Sequence, residues 1–331
     1  MQDMDTSFSD VDTATQTESG RKVSWFNIGL FLLLTFAISW ACFIGLRALH
    51  VPFIMYSVAG MYGPALAALL VRLLRREGFG DAGLRLMERG NRQGGWMYLT
   101  AYLVPPIVLC AGMLVALLSG YQHWAFSTNL QVIARTLVKT LQAQGQRLPA
   151  GMTPERLATI TIIGLSVGAF TIAIPINMLA AFGEEFGWRG YLLPKLAPLG
   201  GVWAALIVGV VWGLWHAPLI VLDSYDYPGH PWLGVLMMII FTTALSCIFA
   251  WLRFRSGSVW PSTLAHAAVN AQTGFAFIFL SHGDSLLGAP IGILGLIPML
   301  LFALWLILTG RLNPVPALLA VPAAPVLKRE A

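Results

Sequence analysis

The chain has 331 residues, 57% of them hydrophobic and only 11% charged, with a formal net charge of +5. A soluble globular domain carries roughly 25% charged residues, so the composition argues against a water-soluble protein, and so small a positive excess is no nucleic-acid footprint; no nucleic-acid partner is expected. The three cysteines, Cys42, Cys110 and Cys247, all fall within apolar runs and read as buried apolar side chains, not as a disulfide framework.

In chain order, residues 1–24 form a polar segment with Asp3, Asp5, Asp10, Asp12 and Glu18 among many Ser and Thr, read as a disordered cytoplasmic tail. Long runs free of charge then follow one another, and each is long enough for the ~20 mostly apolar residues of one membrane-crossing helix. Eight spans are predicted, near 26–46, 52–71, 96–118, 158–182, 201–222, 232–252, 259–280 and 287–309. Runs this continuous exclude the alternating strands of a lipid-embedded barrel. The predicted fold is therefore all-α: a polytopic membrane protein with a helical domain over 25–310 and a C-terminal tail over 311–331. The first run is too long for the core of a signal peptide and lacks a clear small-residue cleavage site.

Charge in the loops sets the orientation. The stretch 72–92 holds Arg72, Arg75, Arg76, Arg85, Arg89 and Arg92; Arg253 and Arg255 follow the sixth span, and Arg311 the eighth. The loops bearing Asp223/Asp226 and Asp284 carry no Lys or Arg. An excess of basic residues marks the cytoplasmic side, which places both termini there. The 119–157 loop, with Arg135, Lys139, Arg147 and Arg156, runs against that pattern, but long loops are weaker topological evidence. Within it, Leu130, Ile133, Leu137, Val138 and Leu141 recur at helical spacing, as in an amphipathic helix on the bilayer surface or a short soluble cap.

Three polar constellations interrupt the apolar runs. In Glu184-Glu185-Phe186-Gly187-Trp188-Arg189, Glu185 and Arg189 are four apart and share a helix face, acid before base. Glu184 points about 100° away around the axis, so one carboxylate is paired and the other is left for general-base work. The ordinary alternative is a charged loop between spans. His216 lies late in the fifth span, with Trp212 one turn earlier on its face and Pro218 freeing the carbonyl of Leu214. His266 and Asn270 are again four apart, separated by small alanines; such a pair can donate two hydrogen bonds to one oxygen, or simply hold helices together. Measured from the turn at Pro198–Gly201, Glu184 and His216 both lie ~20–24 Å along their helices, and His266/Asn270 lie ~12–18 Å in from Ser258, so three helices can bring these groups to one level. This requires the fourth helix to run on through the Glu pair to about Lys195, with a break earlier, near Pro175 or Gly164/Gly168.

Glu-Glu-x-x-x-Arg, then aromatic-x-x-x-His, then His-x-x-x-Asn, in that order in a multi-span chain, resembles the CPBP family of CAAX prenyl and bacteriocin-processing intramembrane proteases, also known as Abi proteins. The resemblance covers roughly residues 157–282, the catalytic half; residues 1–156 match in hydropathy alone. It implies a membrane-embedded endopeptidase, in the inner (plasma) membrane of a bacterium, acting near the end of a prenylated or otherwise membrane-bound peptide. Glu184 would activate water, Glu185 and Arg189 would support it, His216 would hold the water or a metal, and His266 with Asn270 would face the scissile carbonyl. Trp212 departs from the phenylalanine most often found there, which touches pocket shape more than chemistry. No His-Glu-x-x-His motif is present; Glu184, His216 and His266 can still coordinate Zn2+ or another divalent metal with one position open, or activate water without one. Competing readings are a non-enzymatic immunity or scaffold protein and an ion-coupled transporter, although no paired repeat of the transporter kind is visible. His50, His123, His230 and His282 sit at span ends or in loops and are expected to do no chemistry; Asp223 and Asp226, near the outer end of the fifth span, could gate peptide entry but are expected to be solvated loop charges.

Overall fold

The computed structural model describes residues 22–87 and 94–314; most of both tails, Arg89 and Arg92 lie outside them. The described residues are helical nearly throughout, with a single isolated β-bridge between Trp124 and Leu280. The helices are α1 (Trp25–Trp40, continued by a π-helical segment Ala41–Leu46), α2 (Phe53–Met61), α3 (Gly63–Arg75), α4 (Gly94–Leu118), α5 (Phe126–Ala143), α6 (Pro154–Phe170), α7 (Ala173–Gly187, continued by a π-helical segment Trp188–Leu192), α8 (Leu193–Leu196), α9 (Gly201–Trp215), α10 (Ala217–Asp223), α11 (Pro231–Ser256), α12 (Trp260–Gln272), α13 (Phe275–Phe279) and α14 (Ile293–Leu308).

Among the described residues, five spans are long and apolar enough to cross a membrane, namely Trp25–Leu46, Phe53–Arg75, Gly94–Leu118, Gly201–Asp223 and Pro231–Ser256. A sixth forms if α6 and the helix from Ala173 to Leu199, bent by 51° at their junction, count as one. The chain is an integral membrane protein, and its outer surface agrees: Leu33, Leu114, Ile163, Leu179, Trp203 and Leu308 are all exposed, a density of apolar side chains that lipid and not water accommodates.

Eight full spans proved too many. The stretch 259–280 divides at Thr273–Gly274 into α12 and α13. That at 287–309 becomes the 16-residue α14, which starts only at Ile293. Gly288 and Gly292 bring backbone freedom and Pro290 lacks an amide donor, so none of the three favours helix before Ile293. The break before the Glu pair occurs where sequence put it: α6 ends at Phe170, and Pro175, in the first turn of α7, cannot bond the carbonyl of Thr171. From there α7, its π segment and α8 run on to Leu196.

Cys247 is buried and Cys42 partly so, but Cys110 is exposed on the lipid-facing side of α4, contrary to the expectation that all three are interior; no residue there needs to cover a thiol that lipid tolerates. Helix α5 is amphipathic as read. Leu130, Ile133, Leu137, Val138 and Leu141 are half-buried, whereas Arg135 and Lys139 are exposed. The buried Asn129 ties it to the other half of the chain by donating its amide to the carbonyl of Leu280 at 2.8 Å.

Candidate active site

Glu184 and Glu185 end α7, and both are buried, at 2% and 0% exposure. They are not loop charges. Glu185 Oε1 accepts from Arg189 Nη1 at 2.8 Å, the i,i+4 pair that the spacing implied. Glu184 has its own partner at the same spacing: the Trp188 indole N–H donates to Glu184 Oε2 at 3.3 Å. Both Trp188 and Arg189 lie in the π-helical segment, a local widening that recurs at functional sites. The helix can sit this deep because Gly187 carries no side chain. A Cβ there would lie 2.3 Å from Pro64 Cβ, so α7 rests directly on the start of α3.

The second helix, α9, is clasped to α11. A Cβ on Gly213 would meet Ile239 Cα at 2.5 Å, and Thr242 Oγ1 donates to the Gly209 carbonyl at 2.9 Å. Small residues and a hydroxyl bridge are what close helix packing in lipid requires. This clasp sets the level of Trp212, whose indole N–H donates to Glu184 Oε2 at 2.6 Å. Two indoles therefore hold one oxygen of Glu184 and leave Oε1 without a protein donor. Trp212 also stands 6.0 Å from the His216 ring, tilted, as the wall the sequence suggested.

His216 occupies the junction between α9 and α10, where Pro218 interrupts the helix. Its Nδ1 lies 2.9 Å from the Trp212 carbonyl. A carbonyl only accepts, so Nδ1 carries the proton, and Nε2 of the neutral ring is an acceptor. On α12, His266 Nδ1 lies 3.0 Å from Glu185 Oε1, so that one carboxylate oxygen joins Arg189 to His266. The Arg189 guanidinium is stacked between aromatic faces, 4.6 Å from the centre of Trp212 and 4.9 Å from that of Phe249, which suits a cation with few hydrogen-bond partners.

Trp212, His216, His266 and Asn270 line a cavity of about 30 Å³, walled otherwise by Met238, Phe241, Thr242, Leu245, Val269, Tyr225 and Asp226. That volume holds a water molecule and little else. All six residues singled out by sequence therefore gather in one region. Four are buried, His216 is half-buried and Asn270 is exposed. Glu184 does not line this cavity but is bonded to Trp212, which does.

Trp188 and Tyr225 escaped the sequence reading as contributors, and Trp212 and Asp226 were read in other roles, as an aromatic wall and as a loop charge. Trp188 and Trp212 act as donors to Glu184. A buried indole N–H needs an acceptor, and Trp188 stands at i,i+4 from Glu184, so that much was readable. Tyr225 lies parallel to the His216 ring at 6.4 Å, and Asp226 lines the cavity; only folding brings this loop back over the site. The expectation for Asp226 is thereby corrected: it is half-buried beside the cavity and not a solvated charge. Asp223 also has a partner, Arg47, at 2.7 Å.

Among the described residues, no three His, Cys, Asp or Glu side chains are grouped as ligands of one metal ion. The trio Glu184, His216 and His266 is not such a group among the described residues.

Residues 166–272 match the family described as type II CAAX prenyl endopeptidase Rce1-like. CAAX prenyl protease 2 of Methanococcus maripaludis is 42% identical over 60 residues, which span 18% of this chain and 22% of that relative. The resemblance read from Glu184 to Asn270 is thus borne out over the stretch that holds every singled-out residue.

Proposed function

We propose that this chain, whose residues 166–272 form an Rce1-like domain, is an intramembrane endopeptidase that hydrolyses a prenylated or otherwise membrane-bound peptide with water activated by Glu184. One observation carries the reading. Two indole N–H groups orient a buried carboxylate, and one of them, that of Trp212, belongs to the wall of a water-sized cavity whose polar lining includes an acceptor imidazole, a carboxylate-backed imidazole and a primary amide.

The chemistry follows from the atoms. Water in the cavity hydrogen-bonds to Nε2 of His216, which turns its lone pair toward the peptide carbonyl. Glu184 Oε1 takes a proton from that water, the oxygen bonds to the carbonyl carbon, and the carbonyl electron pair moves onto oxygen. Asn270 Nδ2 and His266 Nε2 donate to this oxyanion. For His266 to do so its ring must carry a second proton. Glu184, Glu185 and Arg189 sum to one negative charge, and that proton brings the buried group to neutrality. Collapse of the adduct breaks the C–N bond, and Glu184 returns its proton to the departing amine. The residues supply this sequence without a metal ion.

An apolar cleft beside the cavity shares Phe241, Leu245 and Val269 with it and suits an apolar chain carried by the peptide. The test is cleavage of prenylated reporter peptides by the purified protein in liposomes, with and without chelator. Hydrolysis that resists chelation and falls by about 10³-fold in Glu184→Gln, within the range for loss of a general base, supports the reading. Hydrolysis that survives the substitution removes Glu184 from the role given to it.

A further inference from the structure

A second, larger cavity lies next to the first. Its volume is about 360 Å³, and Gln122, Asp226, Ser281, His282 and Asp284 are among its walls. Among the described residues, Asp226 is the one that lines both cavities, so it forms the wall they share. That wall is built, not incidental. Asp226 adopts φ +62°, a left-handed conformation that Asp and Asn tolerate better than most residues. The wall opposite is held by Gln122, which is 4% exposed, donates to the Ser281 carbonyl at 2.8 Å and accepts from the Ala289 amide at 2.8 Å.

The larger cavity is acidic in character. Neither Lys nor Arg lines it. Asp284 is paired with His230 at 2.7 Å, a bond that holds its carboxyl below the usual range. Asp226 has no cation within ion-pair distance among the described residues; the neighbouring Tyr225 hydroxyl alone favours its charged form. A carboxylate left without a cation, shared between this cavity and the proposed hydrolytic site, is what a basic ligand group would complete. A free C-terminal carboxylate would instead meet like charge there.

We propose that the larger cavity is the port through which substrate peptide reaches the site, and that Asp226 is a specificity residue selecting peptides with a lysine or arginine on the side of the scissile bond that occupies the port. This rests on the peptidase reading above. Burial pushes the Asp226 carboxyl up to about 7, a cost that an incoming ammonium or guanidinium offsets by favouring the charged form.

The experiment uses the full chain in liposomes and a set of membrane-anchored peptides, identical but for Lys or Glu at each position from four before to four after the scissile bond. For wild type, the Lys/Glu ratio of kcat/KM should exceed about 10 at one or more positions on one side, as one charge pair in a shielded cavity warrants. Asp226→Asn, which keeps the shape and the backbone preference, should bring that ratio below about 3, and Asp226→Glu should restore it. A ratio unchanged in Asp226→Asn, or no Lys/Glu discrimination at any position, overturns the proposal. Binding of the same peptides, followed by fluorescence anisotropy, separates the two readings. Lys-selective binding that is lost in Asp226→Asn, in a protein that cleaves nothing, refutes the peptidase and keeps the port. Equal binding of Lys and Glu peptides refutes the port even where hydrolysis is intact.

Discussion

Two charged knots hang on the same helix, one at each end of the segment from Glu184 to Lys195. Beyond Arg189, Lys195 reaches Glu77 at 2.9 Å and Asp81 at 3.2 Å, while Arg72 bonds Asp81 at 2.8 Å and the Gly190 carbonyl at 2.8 Å. Here each carboxylate has a cation, and Asp81 has two. In the other knot Glu185 has Arg189, but Glu184 is held by neutral indoles alone. The contrast separates structure from chemistry. A carboxylate saturated with cations pins a loop to a helix and has little proton affinity to offer; a carboxylate given only weak donors stays basic enough to take a proton from water.

The largest break in that contrast comes from swapping amides for acids. Glu184→Gln should abolish hydrolysis while leaving the melting temperature in detergent within a few degrees, because a neutral amide still accepts from both indoles. Asp81→Asn should do the reverse, lowering the melt and sparing the rate per folded molecule. Equal losses of rate in the two variants would erase the distinction drawn between the knots.

Next in size is the buried ion pair. Arg189 and Glu185 are fully buried, and removing one partner strands the other's charge, at a cost of about 3–5 kcal/mol. Arg189→Met should therefore express poorly and melt far below wild type. Adding Glu185→Gln to it removes the stranded charge and should recover much of the loss; a double variant as unstable as the single one would show that lost packing, not charge, was the cause.

The part of this readable from sequence was the part governed by spacing along one helix. Glu185–Arg189, the break before α7, its continuation to Leu196 and the interruption at His216 all follow from i,i+4 geometry or from the missing proline amide, and all are present. The depth estimate that brought Glu184, His216 and His266 to one level used only helical rise. What stayed hidden depends on rotation and on loops. Rise says nothing of which way a helix faces, so His266 bonding to Glu185 and not directly to Glu184 was not foreseeable. Nor was the return of the loop with Tyr225 and Asp226 over the cavity, because no periodicity governs a turn at positive φ. The overcount of spans has the same root: hydropathy measures apolar length, while Gly274, Gly288 and Pro290 decide where the helix stops.

A smaller effect tests the donor half of the comparison. Trp212→Phe keeps an aromatic wall but removes the 2.6 Å donor to Glu184. A hydrogen bond to a charged group contributes about 1.5–3 kcal/mol, and Trp188 still holds the same oxygen, so kcat should drop by about tenfold with little change in KM. A change confined to KM would mean that Trp212 shapes the pocket and does not orient the base.

The smallest effect is one of pH, and it belongs to the structural knot. Burial pushes the Asp81 carboxyl up, but Arg72 and Lys195 outweigh it and hold the group below its ordinary value of 3.8. A carboxyl whose folded value is depressed adds stability that is fully present above the unfolded value, and that stability is lost as pH falls through the folded one. Wild type should therefore melt at nearly constant temperature from pH 7 to about 5 and lose stability progressively below about 4. Asp81→Asn starts lower, since Arg72 loses its carboxylate partner while Lys195 keeps Glu77, and its decline below pH 4 should be shallower. The measurement is a series of detergent melts on both proteins across that interval. Parallel curves would assign the acid sensitivity to other carboxylates and leave the loop at Asp81 held by its backbone contacts, the bonds from Arg72 to the Gly78 carbonyl and from Arg253 to the Asp81 carbonyl.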